Sequence, residues 1–254
     1  MNSRSGAYFT MSDLPDHGIT SPAIDEEAMH AFRNQWQVYS KVVDHNYLFH
    51  QEACAALHAE LMQINRPFRF LDLACGDART TVAALQSTHV SHYHGIDLSA
   101  PALEMARRRV QNLSCPAELE QNDFVTAMSQ RPEPVDVVWI GLSLHHLQTT
   151  GKRNLMRAVR SAVGDDGLFM IYEPICREKE SRAAYLERLE QINHAAWAAL
   201  TPEEWEIIAT HVRSADLPES PEVWTQLGRD AGFSSVRELF TDANELYAVF
   251  RFQP

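Results

Sequence analysis

The segment 68–97 constrains the fold more than any other part of this sequence. An apolar run, Phe68–Leu73, leads into a tight turn at 74–78 and a helical pattern, and a second apolar run ends on Asp97. A strand, a turn, a helix and a second strand that ends on an acid form half of a nucleoside-binding α/β unit. A carboxylate about 20 residues beyond the turn suits a ribose, because it can accept hydrogen bonds from both ribose hydroxyls.

The turn indicates which kind of nucleoside ligand to expect. A dinucleotide-binding turn carries three glycines in the pattern G-x-G-x-x-G, whereas the three positions here are Ala74, Gly76 and Arg79. Asp72 lies in the approach to the turn, where its charge would repel a pyrophosphate. The segment 72–76, Asp-Leu-Ala-Cys-Gly, resembles motif I of the class I (Rossmann-like) S-adenosylmethionine-dependent methyltransferases. That cofactor carries an amino group and a sulfonium and has no phosphate, so the resemblance explains the acid.

The rest of the chain alternates strands and helices as this family does. Strands are expected near 68–73, 92–97, 116–121, 135–140 and 167–173, and helices near 77–87, 99–111, 123–129 and 149–163. Such alternation implies a parallel sheet that helices cover on both faces. Two more strands follow, and the resemblance implies that the last one is antiparallel. We therefore predict an α/β fold, a three-layer αβα sandwich whose seven-stranded sheet is mostly parallel.

Five segments are expected along the chain. They are a mobile N-terminal tail (1–24), N-terminal cap helices (25–65), an S-adenosylmethionine-binding core (66–173), a helical lid or substrate insertion (174–232) and a C-terminal strand pair that completes the core sheet (233–254). The tail is rich in Ser, Pro, Asp and Gly, which is typical of mobile termini. The lid combines acidic residues with aromatic ones, which suits a small acceptor that is partly apolar and neutral or cationic. Amphipathic packing with a solvated outer face is the favoured explanation for most of these residues.

The resemblance also implies the residues that bind the cofactor. Asp97 would accept hydrogen bonds from the ribose, Asp123 would accept one from the adenine amino group, and Gly141 would lie against the methionine part. The expected set is Tyr39, Asp72, Ala74, Gly76, Arg79, Asp97, Leu98, Asn122, Asp123, Phe124 and Gly141. Three alternatives stay open: Asp123 could simply cap a helix, Tyr39 could be a core residue, and Arg79 could pair with a surface acid instead of the cofactor carboxylate.

Adjacent histidines, His145 and His146, follow the fourth strand and are the candidate catalytic residues. Either could act as a general base toward an acceptor hydroxyl or amine, or the two could be a packing pair. The family mechanism needs chiefly positioning, so no catalytic residue is demanded. Three other histidines lie around the second strand, at 89, 92 and 94, but they do not converge as metal ligands must. No metal is therefore expected.

Composition limits the partners. A net charge of −12 makes nucleic acid an unlikely partner, because attraction to phosphate drives such binding. The four cysteines are far apart and form no C-x-x-C pair, which favours a reduced, cytoplasmic setting. No run of 18 apolar residues is present, so no membrane contact is expected. The protein is expected to be a monomer or a homodimer.

The function predicted from the sequence is that of a transferase, an S-adenosyl-L-methionine-dependent methyltransferase of the EC 2.1.1 type. It would methylate a small-molecule acceptor by direct in-line transfer. The alternatives are a tRNA-modifying relative of the same fold and a non-catalytic S-adenosylmethionine-binding protein. The missing glycines disfavour a nicotinamide oxidoreductase.

Overall fold

Seven strands and the helices around them are seen in a computed structural model, which describes residues 37–130 and 133–254. The strands are β1 Phe68–Leu73, β2 Val90–Asp97, β3 Ala117–Gln121, β4 Val137–Gly141, β5 Leu168–Pro174, β6 Ser235–Thr241 and β7 Tyr247–Gln253. The helices are α1 His50–Leu61, α2 Arg79–Ala84, α3 Ala100–Val110, α4 Phe124–Ser129, α5 Thr149–Ala162, α6 Arg182–Ala196, α7 Pro202–Ala215 and α8 Pro221–Asp230. Residues 38–44 are helical as well.

The strand order is β3-β2-β1-β4-β5-β7-β6. Strand β7 runs antiparallel to both of its neighbours, β5 and β6. All the neighbouring pairs among the first five strands are parallel. This confirms the predicted fold class, including the antiparallel last strand. Strands β2 and β3 are added on one side of β1, and β4 and β5 on its other side, so the strand order changes direction between β1 and β4. Ligands of open α/β sheets bind at such a point, beyond the carboxyl ends of the strands.

Alternating side chains of the strands build one apolar core on each face of the sheet. In β4, Val137 and Trp139 enter the first core, and Val138 and Ile140 enter the second. Helices α1, α2, α3 and α6 cover the first face. Helices α4, α5 and α8 cover the second. Since both faces are buried, the central strands β1, β4 and β5 are mostly apolar, as is typical of a parallel sheet.

The predicted lid, 174–232, is divided by the structure. Helix α8 packs against α5 and β6, and its Trp224 is fully buried in the second core. The assignment of α8 to the lid is therefore wrong, because this helix is part of the sandwich. Helix α7 remains as the candidate cover, whereas α6 also packs against the sheet through Tyr185 and Leu189 of the first core. We call residues 182–215, which include both helices, the cover segment.

The N-terminal part of the fold is a helical stretch, a turn and α1. The predicted mobile tail, 1–24, and the first cap residues, 25–36, lie outside the described residues. The helix predicted up to residue 65 is interrupted, because Asn46 and Phe49 adopt left-handed backbone angles, with φ of 55° and 62°. This turn reaches the cover segment: the backbone N–H of Ala199 donates to the Tyr47 hydroxyl at 2.9 Å.

Membrane insertion has no support in the helices. Across the described ranges, none of them combines the length and the apolar character that a membrane span needs.

Candidate functional site

Three left-handed residues shape the turn between β1 and α2. Ala74, Gly76 and Ala78 have φ of 54°, 54° and 57°, a conformation that costs a non-glycine residue ~1–2 kcal/mol. A Cβ atom added to Gly76 would meet nothing within 4 Å. The space above this glycine is therefore open, and a ligand can approach the backbone there. Strained backbone is typical of functional turns.

Asp97 ends β2 directly beside this turn. Its Oδ2 accepts the backbone N–H of Gly76 and its Oδ1 accepts that of Ser99, both at 2.8 Å. A carboxylate oxygen can accept two hydrogen bonds, so each oxygen keeps one acceptor position for a ligand. Burial raises the pKa of Asp97, and the two backbone hydrogen bonds oppose this rise. The geometry suits a diol, as the sequence predicts for the ribose.

Asp72 lies beneath the turn and supports it. Its side chain is buried, and its Oδ2 accepts hydrogen bonds from Thr81 Oγ1 at 2.6 Å and from the Tyr93 hydroxyl at 2.7 Å. Burial raises the pKa of Asp72 to about 7, against the effect of these two hydrogen bonds. The structure thus assigns Asp72 a structural role, and its direct contact with a cofactor stays a prediction.

The predicted adenine-binding residues follow β3. The backbone N–H of Asn122 donates to the Asp97 carbonyl at 3.1 Å, so this loop is held beside the ribose candidate. Asp123 Oδ2 accepts the backbone N–H of Thr126 at 2.8 Å, and the acid therefore caps α4, which is the simpler of its two predicted roles. Phe124 packs against the second core. Recognition of adenine by these residues stays a prediction.

Leu98 and Gly141 lie at the same carboxyl edge. Leu98 directly follows β2, and its carbonyl accepts a hydrogen bond from Gln121 Nε2 at 3.2 Å. Gly141 ends β4 in register with Tyr172 of β5. A Cβ at Gly141 would lie 3.3 Å from Nε1 of Trp139, so the Trp139 ring would have to shift slightly to admit a larger residue.

Tyr39 and Arg79 meet on the N-terminal side of the turn. They line one small crevice, and the Tyr39 hydroxyl lies 3.2 Å from His50 Nε2. Arg79 Nη1 donates to Asp44 Oδ1 at 2.5 Å, which is the pairing with a surface acid that the sequence left open. Binding of a cofactor carboxylate by Arg79 stays a prediction, and the remaining guanidinium N–H groups would have to supply it while this pair is closed.

His145 lies in a short 3-10 turn, Leu144–His146, directly after β4. Its ring is buried, and its Nδ1 lies 2.6 Å from Glu173 Oε2. The fully buried Glu173 also accepts the backbone N–H groups of Leu144 at 2.9 Å and His145 at 3.1 Å. Burial lowers the pKa of His145, but the carboxylates of Glu173 and Asp216 outweigh it and raise the pKa to about 9.

Asp216, in the link between α7 and α8, faces three imidazole rings. Its Oδ1 lies 3.5 Å from His145 Nε2, 3.8 Å from His146 Nδ1 and 3.7 Å from His211 Nε2. Neither Asp216 Oδ1 nor His146 Nδ1 has a hydrogen-bond partner among the described residues, although both atoms are buried. Burial lowers the pKa of His146 to about 4, and the neighbouring His145 adds to this effect.

Sequence reasoning missed this group because its members come from three separate segments. Glu173, Asp216 and His211 are distant from the histidine pair along the chain, and the structure alone brings them together. One signal was available: Glu173 is an acid at the end of an otherwise apolar buried strand. The histidines that the sequence grouped instead, His92 and His94, face Glu118 and Glu120 across the β2–β3 edge.

Comparison with known proteins supports the interpretation of the fold. A family model described as "Methyltransferase domain" matches residues 70–167. Among solved structures, an O-methyltransferase family protein from Burkholderia thailandensis aligns with a TM-score of 0.63 and 17% identity, over 91% of this chain and 60% of that one. The S-adenosylmethionine-dependent methyltransferase SibL aligns with a TM-score of 0.57 and 17% identity, over 81% of this chain and 55% of that one. The mitomycin 7-O-methyltransferase MmcR aligns with a TM-score of 0.56 and 15% identity, over 90% of this chain and 67% of that one. A comparison with curated proteins found no match.

Residues 70–167 therefore match the model of the methyltransferase-domain family, and the chain has the class I, Rossmann-like methyltransferase fold. This confirms the resemblance found in motif I. The chain spans 55% of the SibL structure and 60% of the Burkholderia structure, and at 15–17% identity the structural likeness concerns the fold.

Proposed function

We propose that this protein is an S-adenosylmethionine-dependent methyltransferase that acts on a small-molecule acceptor. The observation that carries the proposal is the pairing of Gly76 with Asp97 beneath an open space. It lies at the carboxyl edge of the sheet, inside the segment that matches the methyltransferase domain. The residues present fit the cofactor, because Asp97 keeps two acceptor positions for a diol and no phosphate-binding glycines are needed.

The chain's own residues would hold the cofactor from several strands. Asp97 would bind the ribose, residues 122–124 would lie along the adenine, and Gly141 would lie against the methionine part. When bound, S-adenosylmethionine supplies a methyl group that its sulfonium already activates for in-line displacement by the acceptor. The protein's contribution is then to align the acceptor and exclude water, an effect that can supply roughly 7–11 kcal/mol.

A small acceptor is supported by the cover segment. Trp197 of this segment stacks on Tyr47 with ring centroids 5.3 Å apart, and Trp205 meets Trp197 edge-on at 5.6 Å. A ligand site beside these packed rings would suit a partly apolar ligand, whereas a net charge of −12 disfavours RNA. One structural neighbour, the mitomycin 7-O-methyltransferase MmcR, is named for a small-molecule substrate of its own.

The proposal also concerns the cellular location of the protein and the residue that would take a proton from the acceptor. All four cysteines are free, in keeping with a cytoplasmic location. A general-base role for His145 or His146 stays a prediction. If either is the base, its replacement by Ala should lower turnover by roughly 10²–10⁴-fold while cofactor affinity changes little.

Titration calorimetry tests the cofactor. The purified protein should bind S-adenosylmethionine and S-adenosylhomocysteine, and it should not bind NAD. Mass spectrometry of any nucleoside that copurifies gives an independent answer. NAD binding without S-adenosylmethionine binding would contradict the proposal and favour an oxidoreductase.

A further inference from the structure

We propose that His145, His146 and Asp216 form a binding site for a divalent transition metal of the zinc type, with His211 at its rim. The site lies at the end of β4, where the α7–α8 link crosses the 3-10 turn. It does not depend on methyl transfer, because it rests on the geometry of this side-chain group alone.

The ligand atoms are already close to the required arrangement. One atom each from His145, His146 and Asp216 can be chosen so that all three lie within 4.8 Å of one another. Asp216 Oδ1 is 3.5 Å from His145 Nε2 and 3.8 Å from His146 Nδ1. Zinc–ligand bonds of about 2.0–2.1 Å in a tetrahedron imply ligand atoms roughly 3.3–3.4 Å apart. Shifts of a few tenths of an ångström would therefore bring Asp216 Oδ1 to the zinc-ligand spacing from each of the two imidazole nitrogens.

Two buried atoms in this group need a partner. His146 Nδ1 forms no hydrogen bond with any described residue, and Asp216 Oδ1 has only the long, 3.5 Å approach of His145 Nε2, although only 7% of Asp216 is exposed. A buried polar atom without a partner costs ~1–3 kcal/mol, and native structures leave few of them. A single cation bound between the two atoms would satisfy both. Water of the right orientation could bridge them, but it would not use the carboxylate charge.

Glu173 prepares His145 for this role. Histidines that bind a metal usually donate the other ring N–H to a carboxylate, which fixes the tautomer and the ring orientation. Here His145 Nδ1 lies 2.6 Å from Glu173 Oε2, so Nε2 is the nitrogen that faces Asp216, and a metal bound there would displace its proton. Glu173 is itself fixed by the backbone N–H groups of Leu144 and His145.

The donor set indicates the class of metal. Two imidazoles and one carboxylate suit zinc and neighbouring transition metals, whereas magnesium and calcium prefer oxygen ligands alone. Three protein ligands leave a fourth position for water or for an acceptor group, as in catalytic zinc sites. His211 Nε2, 3.7 Å from Asp216 Oδ1, lies on a side chain that is 59% exposed and could fill that position instead.

The metal would join two parts of the fold. His145 and His146 belong to the edge of the sheet, whereas His211 and Asp216 belong to α7 and the link that follows it. The two parts already touch, since the backbone N–H of Leu217 donates to the His145 carbonyl at 3.0 Å. A ring nitrogen bound to a metal cannot accept a proton, so metal binding would replace the general-base role predicted for that nitrogen.

The test is a zinc titration of the full chain, prepared without a histidine tag and stripped with a chelator. Wild-type protein should bind one equivalent of Zn²⁺, and its melting temperature should rise on binding. His146→Ala and Asp216→Asn each remove a ligand and should abolish both effects. Glu173→Gln keeps a hydrogen-bond acceptor for His145 and should weaken zinc binding by roughly 10–100-fold. The matched control is His194→Ala, which alters an exposed histidine of α6 and should bind zinc like the wild type.

Two results would overturn the inference: a folded wild-type protein that binds no Zn²⁺, or zinc binding that survives in both ligand variants. Circular dichroism establishes that each variant is folded, and His146→Ala serves where Asp216→Asn does not fold. S-adenosylhomocysteine is titrated into the same samples. If a protein binds S-adenosylhomocysteine but not zinc, the result bears on the metal site alone. If the wild-type protein does not bind S-adenosylhomocysteine, the result contradicts the proposed function and leaves the metal site to be judged by the zinc titration.

Discussion

Gly76 donates its backbone N–H to Asp97 Oδ2 across 2.8 Å, which joins the turn after β1 to the end of β2 at the carboxyl edge of the sheet. Ser99 donates to the other carboxylate oxygen. The carboxylate is therefore held in one orientation before any ligand arrives. Groups held in this way lose little freedom on binding, and such preorganisation favours affinity.

Asp97→Ala should weaken cofactor binding. Loss of a charged hydrogen-bond acceptor costs roughly 1.5–3 kcal/mol, which is about 10- to 150-fold in the dissociation constant. The variant also leaves two backbone N–H groups without their acceptor, so a modest loss of stability should accompany it. Calorimetry with S-adenosylhomocysteine measures the effect. Asp165→Ala, an exposed acid just before β5, is the control, and an unchanged dissociation constant in folded Asp97→Ala would refute the ribose assignment.

The Gly76→Ala variant, compared with a control, should distinguish the cost of left-handed backbone strain from the loss of space for the ligand. Gly164 is the matched control, because it has φ of +60° against +54° for Gly76, and a Cβ at either position meets nothing within 4 Å. Both alanine variants should lose a comparable ~1–2 kcal/mol of unfolding free energy from the left-handed backbone. Only Gly76→Ala should weaken S-adenosylhomocysteine binding, since its methyl group would enter the ligand space. Equal affinities in the two variants would place the ligand elsewhere.

The fold could be predicted from the sequence because its signals are local. Strands β1, β4 and β5 are short and mostly apolar runs, and the helix starts carry capping residues such as Ser99 and Thr201. The antiparallel last strand came from the family resemblance, not from local patterns. Helix α8 was misassigned because its apolar face is the same whether it covers the sheet or a ligand. Only the packing of Trp224 against the second core distinguishes the two.

The candidate site likewise has one part that the sequence predicts and one that it does not. The Gly76–Asp97 pair is detectable because both residues belong to one strand–turn–helix–strand unit with a fixed spacing. The group around Asp216 is not detectable, since its contacts depend on how the α7–α8 link crosses the turn at His145. A pattern in one dimension records neither the distance between such segments nor the burial that leaves a carboxylate oxygen without a partner.

Asp72 should make stability fall as the pH rises. Its pKa in the folded state is about 7, raised by burial from an ordinary 3.8. Between about pH 4 and pH 7 the folded state therefore keeps a proton that the unfolded state has lost. By linkage, the stabilisation is complete below about pH 4 and is lost as the pH rises through about 7. Urea unfolding from about pH 4 to about pH 8 should show a steeper decline for wild type than for Asp72→Asn. Parallel curves for the two proteins would contradict this assignment.

Lys152 should stabilise the link that carries Asp216. Its ammonium group is fully buried and donates to the Leu217 carbonyl and to Glu219 Oε1, the latter at 2.9 Å. Removal of one partner of a buried ion pair costs ~3–5 kcal/mol, whereas replacement of both by apolar residues can be neutral. Lys152→Met should therefore lower the unfolding free energy strongly, and Lys152→Met with Glu219→Leu should recover much of the loss. A double variant no more stable than the single one would argue against a paired charge.

The cover segment should open more easily than the rest of the domain. Within α7, Ala209 alone is buried, and the helix is tied to residues 38–49 by few polar contacts, such as Lys41 Nζ to Glu204 Oε2 at 2.8 Å. Regions with few buried contacts exchange their amide protons through local opening, and a cover that admits an acceptor must open in this way. Hydrogen exchange should therefore be fast in α7 and slow in β5, where every residue is buried.

Helix α8 is the internal control for that measurement. It belongs to the same part of the chain, but Trp224 anchors it in the second core, so its amides should exchange slowly with or without ligand. S-adenosylhomocysteine should slow exchange in α7 and leave α8 unchanged, because only α7 lies in the segment expected to close. Equal protection of the two helices in the free protein would mean that α7 is a fixed part of the fold. Acceptor choice would then have to be set by the sheet edge around Gly141 and His145.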